Sequence, residues 1–203
     1  MTTPTIGVLA LQGDVREHRL AFERCGVSTR EVRLPADFDQ VDALAMPGGE
    51  STTMSRLLRV FGLDAPLRER LDDGSLGCFA TCAGMILLSR HILDGYPEQL
   101  AYGALDLDVR RNGYGRQVQS FETDLDIAAL GASAEPFRAV FIRAPLVERC
   151  GEDVDVLATV DSKPVLVAQG PHLALAFHPE MTHDDRLHRL FLDRLRDPVA
   201  SAA

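Results

Sequence analysis

The sequence predicts an α/β fold: a doubly wound, mostly parallel sheet flanked by helices, with an antiparallel edge portion in the C-terminal half. Three observations predict it. Short apolar runs alternate with helical patterns through the first half, which is the rhythm of βαβ units. Later strand-like runs follow one another with only turns between them. The chain has 203 residues, 46% apolar and 25% charged, which suits one globular domain with a real core. We expect that domain over residues 1–196 and a frayed tail over 197–203.

Taken in order, Thr5 to Leu11 is a short apolar run that reads as a buried strand. Gln12-Gly13 turns the chain and Asp14 can cap a helix. Val15, His18, Phe22 and Cys25 then share one helical face, and Gly26 suits its end. Val27 to Leu34 and Val41 to Met46 read as the second and third strands. Pro47-Gly48-Gly49 ends the third, and Ser51-Thr52-Thr53 offers caps for a helix through Met54, Leu57 and Leu58. A short helix fits Ala65 to Leu71, ending near Gly74. Leu76 to Ala80 is a fourth strand that runs through Thr81-Cys82-Ala83-Gly84 into a helix with Met85, Ile86 and Leu87. Ala139 to Ile142, Val154 to Val160, Pro164 to Ala168 and Leu173 to Phe177 make the antiparallel portion. Asp161-Ser162 and Gly170-Pro171 turn between the last three. Asp184 or Asp185 starts a final amphipathic helix with Leu187, Leu190, Phe191 and Leu195 inward.

Charge and cysteine usage narrow the function. A net charge of −9 repels phosphate backbones and anionic lipids, so neither nucleic acid nor membrane is an expected partner. No apolar run approaches the roughly 20 residues of a membrane span, and the N-terminus has no secretion pattern. Cys25, Cys78, Cys82 and Cys150 form no zinc-type spacing. Free thiols in a reducing cytoplasm are expected.

In open α/β sheets, ligands bind beyond the carboxyl ends of the strands. Three segments fall there: Pro47 to Ser51, Ala80 to Gly84, and Phe177-His178-Pro179-Glu180. Cys82 follows a strand, precedes a helix and has small neighbours, which is the form of a nucleophile elbow. A helix start beside it favours the thiolate. Pro179 disfavours helix at His178, so the segment should be extended, with His178 and Glu180 facing one way. The carboxylate can then orient the imidazole while the other ring nitrogen meets a thiol. Gly48-Gly49 allows close backbone approach to an oxyanion, though an ordinary turn uses the same pair. His183, Asp184 and His188 suggest a metal, but Arg186 and Arg189 crowd that face against a cation, so no metal is expected.

A Gly-Gly loop, a cysteine elbow and a late His-x-Glu together resemble the class I (triad) glutamine amidotransferases. The resemblance is closest to the branch of glutaminase subunits of pyridoxal 5′-phosphate synthases. Gly7 to Asp14, Pro47 to Thr53, Thr81 to Ile86, Arg111-Asn112-Gly113-Tyr114-Gly115-Arg116-Gln117, Phe141 to Pro145 and Phe177 to Glu180 carry it. It implies Cys82 as nucleophile, His178 as base and Glu180 as its orienting group. It implies that Gly49, Glu50, Ser51, Arg111, Ile142 and Arg143 bind L-glutamine. Backbone N–H groups near Gly49 and Ala83 would form the oxyanion hole. The product ammonia would pass to a (β/α)8-barrel synthase subunit in a hetero-oligomer, without a cofactor in the glutaminase. Glutaminase activity would be low without that partner.

Where the family usually has glycine, this chain has Ala80. If that position needs a positive φ, the elbow is strained. Two other readings use the same residues: an amidotransferase serving another pathway, such as histidine or purine synthesis, and a silent subunit that only regulates its synthase.

Overall fold

A seven-stranded sheet forms the centre of the protein, in a computed structural model that describes residues 3–111, 113, 120–131 and 134–196. The predicted tail, and Asn112 with residues 114–117 of the Arg-Asn segment, lie outside the described residues.

The first half runs β1 (Thr5–Leu9), α1 (Val15–Arg24), β2 (Ser28–Val32), β3 (Ala43–Met46), α2 (Ser51–Val60), α3 (Asp64–Asp72), β4 (Gly77–Thr81) and α4 (Ala83–Leu88). The second half runs β5 (Ser89–Ile92), β6 (Leu105–Arg110), β7 (Ser120–Leu125), β8 (Phe137–Ile142), β9 (Leu146–Cys150), β10 (Asp155–Val160), β11 (Lys163–Gln169), β12 (His172–Leu175) and α5 (Arg186–Arg196). The main sheet has the order β10-β11-β12-β4-β3-β1-β2. Its members from β12 to β2 are parallel, and β10 and β11 add the antiparallel edge. The central strands β3, β4 and β12 are buried along their whole length, so they carry near-continuous apolar sequence. The turn between β10 and β11 has Asp161 at φ 49° and Ser162 at φ 64°, the conformation of a tight hairpin.

Several expectations need correction. Strand ends are trimmed: β1 stops at Leu9 and β2 at Val32. Ala139 to Ile142 belongs to β8, which pairs with β7 in a separate two-stranded sheet rather than at the main sheet's edge. Strands β5, β6 and β9 form a third sheet that periodicity did not reveal. Acidic and basic residues cover one face of β6 and β9, where Arg149 bridges Asp106 and Asp108, so their apolar signal is only half a strand. Cys25 ends α1 as its C-cap instead of continuing it. Of the four residues expected inward on α5, Leu187 and Phe191 are buried, whereas Leu190 and Leu195 are partly buried against the core.

One face of the main sheet holds an aromatic cluster between α1, β4 and α5. The Phe79 ring centroid lies 5.5 Å from those of Phe22 and Phe191 and 4.7 Å from that of His188. Each buried phenylalanine contributes roughly 1.5–3 kcal/mol. His188 is wholly buried and, among the described residues, has no hydrogen-bond partner at either ring nitrogen; burial pushes it down to about 3. It packs as a neutral ring.

Candidate active site

Four neighbouring strands, in the order β12, β4, β3 and β1, bring their carboxyl ends together. The residues just beyond those ends are His178 and Glu180, Cys82, Gly48 to Ser51, and Gln12 to Asp14.

Cys82 stands between β4 and α4 with φ 46° and ψ −100°. That backbone region is costly for a residue with a Cβ, by roughly 1–3 kcal/mol. Neighbouring structure enforces it. The Cys82 N–H donates to Leu175 O at 2.8 Å, and the Ile86 N–H donates to Cys82 O at 3.2 Å. Gly84 lets α4 start against β3, since a Cβ there would lie 2.3 Å from Met46 O. Ala80 is not strained. It is a buried strand residue paired with Met46 and Ala174, and it is absent from the positive-φ residues among those described. The strain expected at Ala80 sits on the cysteine itself.

His178 meets Glu180 by a route different from the one expected. Pro179 begins a single 3-10 turn over Pro179–Met181 instead of extending the strand. The turn still folds the carboxylate back, and His178 Nδ1 donates to Glu180 Oε1 at 2.8 Å. Strand β8 steadies the segment, because the His178 N–H donates to Val140 O at 2.9 Å. Gly48 lies close against the Cε1 edge of the imidazole: a Cβ on it would lie 2.3 Å from His178 Cε1.

The electrostatics favour a charged imidazole. Burial pushes His178 down, but the hydrogen bonds of Cys82 and Glu180 outweigh it and lift the ring up to about 10. Burial likewise pushes Glu180 up, and the facing His18 and His178 outweigh it, holding the carboxyl below its usual value. Asp14 was expected to cap α1. Its side chain makes no cap hydrogen bond and instead lies 3.7 Å from His178 Nδ1. Burial, then the nearby Glu180, raises its carboxyl. Asp14, His178 and Glu180 bring ligand-type atoms within 4.8 Å of one another, the one such group among the described residues. Asp184 is instead tied to Arg186 at 2.6 Å.

A cavity of about 340 Å³ opens over Cys82. Gly49, Glu50, Ser51, Cys82, Arg111, Ile142, Arg143 and His178 all line it, as do Gly13, Asp14 and Ile86. Glu180 lies behind His178, and Ala83 is buried in the first turn of α4. Two further details differ from expectation. Ser51 begins α2 instead of capping it; Glu50 is the cap, accepting from the N–H groups of Thr52 at 3.1 Å and Thr53 at 2.7 Å. The Glu50 carboxylate is therefore largely committed to the helix.

Arg111 is held from several sides. Its Nη1 donates to Thr52 Oγ1 at 2.6 Å and to Gln99 Oε1 at 3.3 Å, and its guanidinium lies 4.7 Å from the Tyr96 ring centroid. Gln99 also donates to Ser51 Oγ at 2.8 Å. Arg143 is exposed and has a left-handed backbone, φ 46°, opposite Cys82; Cys82 Sγ lies 4.0 Å from the Ile142 carbonyl oxygen. Sequence reasoning missed Gln12, which accepts from the Glu50 N–H at 3.2 Å, although Leu11-Gln12-Gly13 was a marker of the resemblance. It also missed Gln99, for which no local signal exists.

The model of the SNO glutamine amidotransferase family matches residues 8–197. A pyridoxal 5′-phosphate synthase subunit PdxT from Mycobacteroides abscessus is 56% identical over 194 residues, covering 96% of this chain and 98% of its own. The subunit of the same description from Thermus thermophilus is 54% identical, covering 93% and 96%. Among solved structures, one described as a glutamine amidotransferase superposes with a TM-score of 0.87 at 50% identity, covering 94% of this chain and 98% of its own. The PurLQS structure from Thermotoga maritima, at 18% identity and TM-score 0.65, contains a chain of the same fold, with 96% of this chain and 100% of that one covered.

Proposed function

Because the chain belongs to the SNO glutamine amidotransferase family, we propose that its elbow cysteine hydrolyses L-glutamine to glutamate and ammonia for pyridoxal 5′-phosphate synthesis. The observation that carries this reading is the chain of contacts at the cavity floor. His178 bonds Glu180 at 2.8 Å on one nitrogen and interacts with Cys82, in a pocket that also holds a fixed arginine.

The steps follow from the geometry. A raised His178 favours a thiolate–imidazolium pair with Cys82. The thiolate attacks the side-chain amide carbon of glutamine. Negative charge forms on the amide oxygen, and the backbone N–H groups of Gly49 and Ala83 are the proposed donors to it. His178 gives its proton to the departing ammonia. Water, deprotonated by the now neutral imidazole, hydrolyses the glutamyl thioester. Glu180 stabilises the charged imidazole throughout and fixes its tautomer. Arg111 is the proposed clamp for the substrate α-carboxylate. It is charged, only 14% exposed at its side chain and held in place before a ligand arrives.

Ammonia released into neutral water becomes ammonium and loses its nucleophilicity. The chain therefore works best docked to the protein that consumes the ammonia, which we propose is a (β/α)8-barrel synthase in a hetero-oligomer. Docking would settle the Gly48-Gly49 loop in its competent form. A free nucleophilic thiol suits the reducing cytoplasm, and no helix among the described residues is long and apolar enough to cross a membrane.

The test is ammonia release from glutamine, with and without the synthase, beside Cys82→Ser. Release that rises with the synthase and disappears in Cys82→Ser is expected. No release from the assembled complex would refute the reading.

A further inference from the structure

Behind the three residues assigned to catalysis lies a fourth buried polar side chain with no role. His18 comes from α1, and its side chain is fully inaccessible, as is that of Glu180. Its Nε2 lies 3.1 Å from Thr81 Oγ1 and 3.5 Å from Glu180 Oε2. Glu180 Oε2 is the carboxylate oxygen that His178 does not use, and it has no hydrogen bond at normal distance among the described residues. His18 Nδ1 has none either. A buried N–H without a partner is rarer and costlier than a buried acceptor without one. The proton of a neutral His18 therefore belongs on Nε2, where it is shared between the threonine hydroxyl and the carboxylate.

We propose that His18 is a positioning residue for the triad, whose Nε2–H holds the outer oxygen of Glu180 and anchors it to Thr81, the residue bonded to the nucleophile Cys82. The contacts then run from Cys82 through His178, Glu180 and His18 to Thr81 and return to Cys82 through one peptide bond. Three separate elements, α1, the end of β4 and the turn after β12, are locked in mutual position by this ring. The charged or titratable groups facing His18 are Asp14 and Glu17 at the start of α1, His178 and Glu180 from the turn after β12, and His188 from α5, whose ring centroid is 5.7 Å away. Burial holds His18 below its ordinary value, so at neutral pH it acts on Glu180 as an N–H dipole and not as a cation. Losing that dipole leaves the outer oxygen of a buried carboxylate without the N–H that faces it at 3.5 Å. The carboxyl then takes up a proton at higher pH and stops orienting His178.

This inference rests on the proposed hydrolytic triad, so its test carries a control for that reading. Glutamine hydrolysis is measured against pH with the synthase present for the wild-type chain, His18→Leu, His18→Gln, Thr81→Val and Cys82→Ser. Glutamine places an amide nitrogen where the imidazole has Nε2, whereas leucine offers no donor. We expect His18→Leu to lower kcat roughly tenfold with little change in KM, and to move the acid limb of kcat/KM up by about one pH unit. His18→Gln should recover most of both. Thr81→Val hands the shared N–H wholly to Glu180, so its acid limb should stay in place or move down. This variant keeps the test decisive if His18→Leu does not fold. Packing loss alone would reduce the folded fraction without moving the limb. An unmoved limb in His18→Leu, no recovery in His18→Gln, or an upward shift in Thr81→Val would overturn the inference. Absent or Cys82-independent release by the wild-type chain would instead overturn the hydrolytic reading and the inference with it.

Discussion

Replacing Gly48 by alanine should disable the site from outside the triad. The added Cβ would stand 2.3 Å from His178 Cε1 and 3.1 Å from Nδ1. Ordinary contact requires the ring or the loop to give by about 1 Å. The ring has little freedom, since Nδ1 is bonded to Glu180 at 2.8 Å and its own backbone N–H is bonded to Val140 O. A misplacement of about 1 Å costs on the order of a hundredfold in rate, and overpacking a filled site costs about 1–3 kcal/mol of stability. Glutamine hydrolysis by Gly48→Ala, assayed with the synthase, should show kcat lower by about two orders of magnitude. KM should change far less, because Arg111 and Ser51 keep their contacts. Urea unfolding of Gly48→Ala, His178→Ala and the double variant separates the cause. Removing the imidazole opens the space, so Gly48→Ala should cost little in the His178→Ala background. An undiminished cost there would place the clash elsewhere, and a wild-type kcat in the single variant would refute the argument outright.

Three further outcomes are expected. Cys82→Gly should be inactive, yet melt above Cys82→Ala by a margin worth about 1 kcal/mol, because glycine accepts φ 46° and alanine does not; equal melting would remove the strain from the elbow. Burial holds His188 down at about 3, below its unfolded value of about 6.5. Its stabilisation is therefore complete above about pH 6.5 and falls by about 1.4 kcal/mol per pH unit as pH drops toward the folded value. His188→Leu should accordingly lose about 2 kcal/mol less than the wild type between pH 7 and pH 5 in urea titrations, and an identical loss would contradict this. Gln99→Leu removes an acceptor from Arg111 and a donor from Ser51, so KM for glutamine should rise roughly tenfold with kcat nearly kept; a fall in kcat alone would show that the contact does not serve binding.

Much of the fold and the site was legible because the informative residues are local in sequence. The central parallel strands β3, β4 and β12 are buried on both faces, so they are nearly continuous apolar runs. Ligand segments of such a sheet follow strand ends, and the cysteine, glycine and His-x-Glu segments each sit directly after one. Strands β6 and β7 resisted reading for the opposite reason. Each shows an accessible face, and β7, Ser120–Leu125, has a single buried residue. Their pairing lies in register with distant partners that a local window does not contain.

The site residues whose contacts were not legible in the sequence share one property: those contacts depend on what stands opposite. His18 on the inward face of α1 reads as a core histidine, and by burial it is one. Only the fold places it 3.5 Å from a carboxylate that lies 162 positions further along the chain. Asp14 reads as a cap, yet its carboxylate turns to His178, because the positive ring offers more than the end of a short helix does. Glu50 reads as a ligand for substrate, yet two backbone N–H groups and one hydroxyl claim its oxygens first. In each case a carboxylate and a polar partner meet because the fold places them within reach, and the local sequence does not say which partner that is. A sequence motif therefore names the groups that react more reliably than it names the groups that hold them. The holding groups are found by asking, for each buried polar atom of the triad, what satisfies it. For Glu180 Oε2 that question leads to His18, and for Arg111 it leads to Gln99 and Thr52.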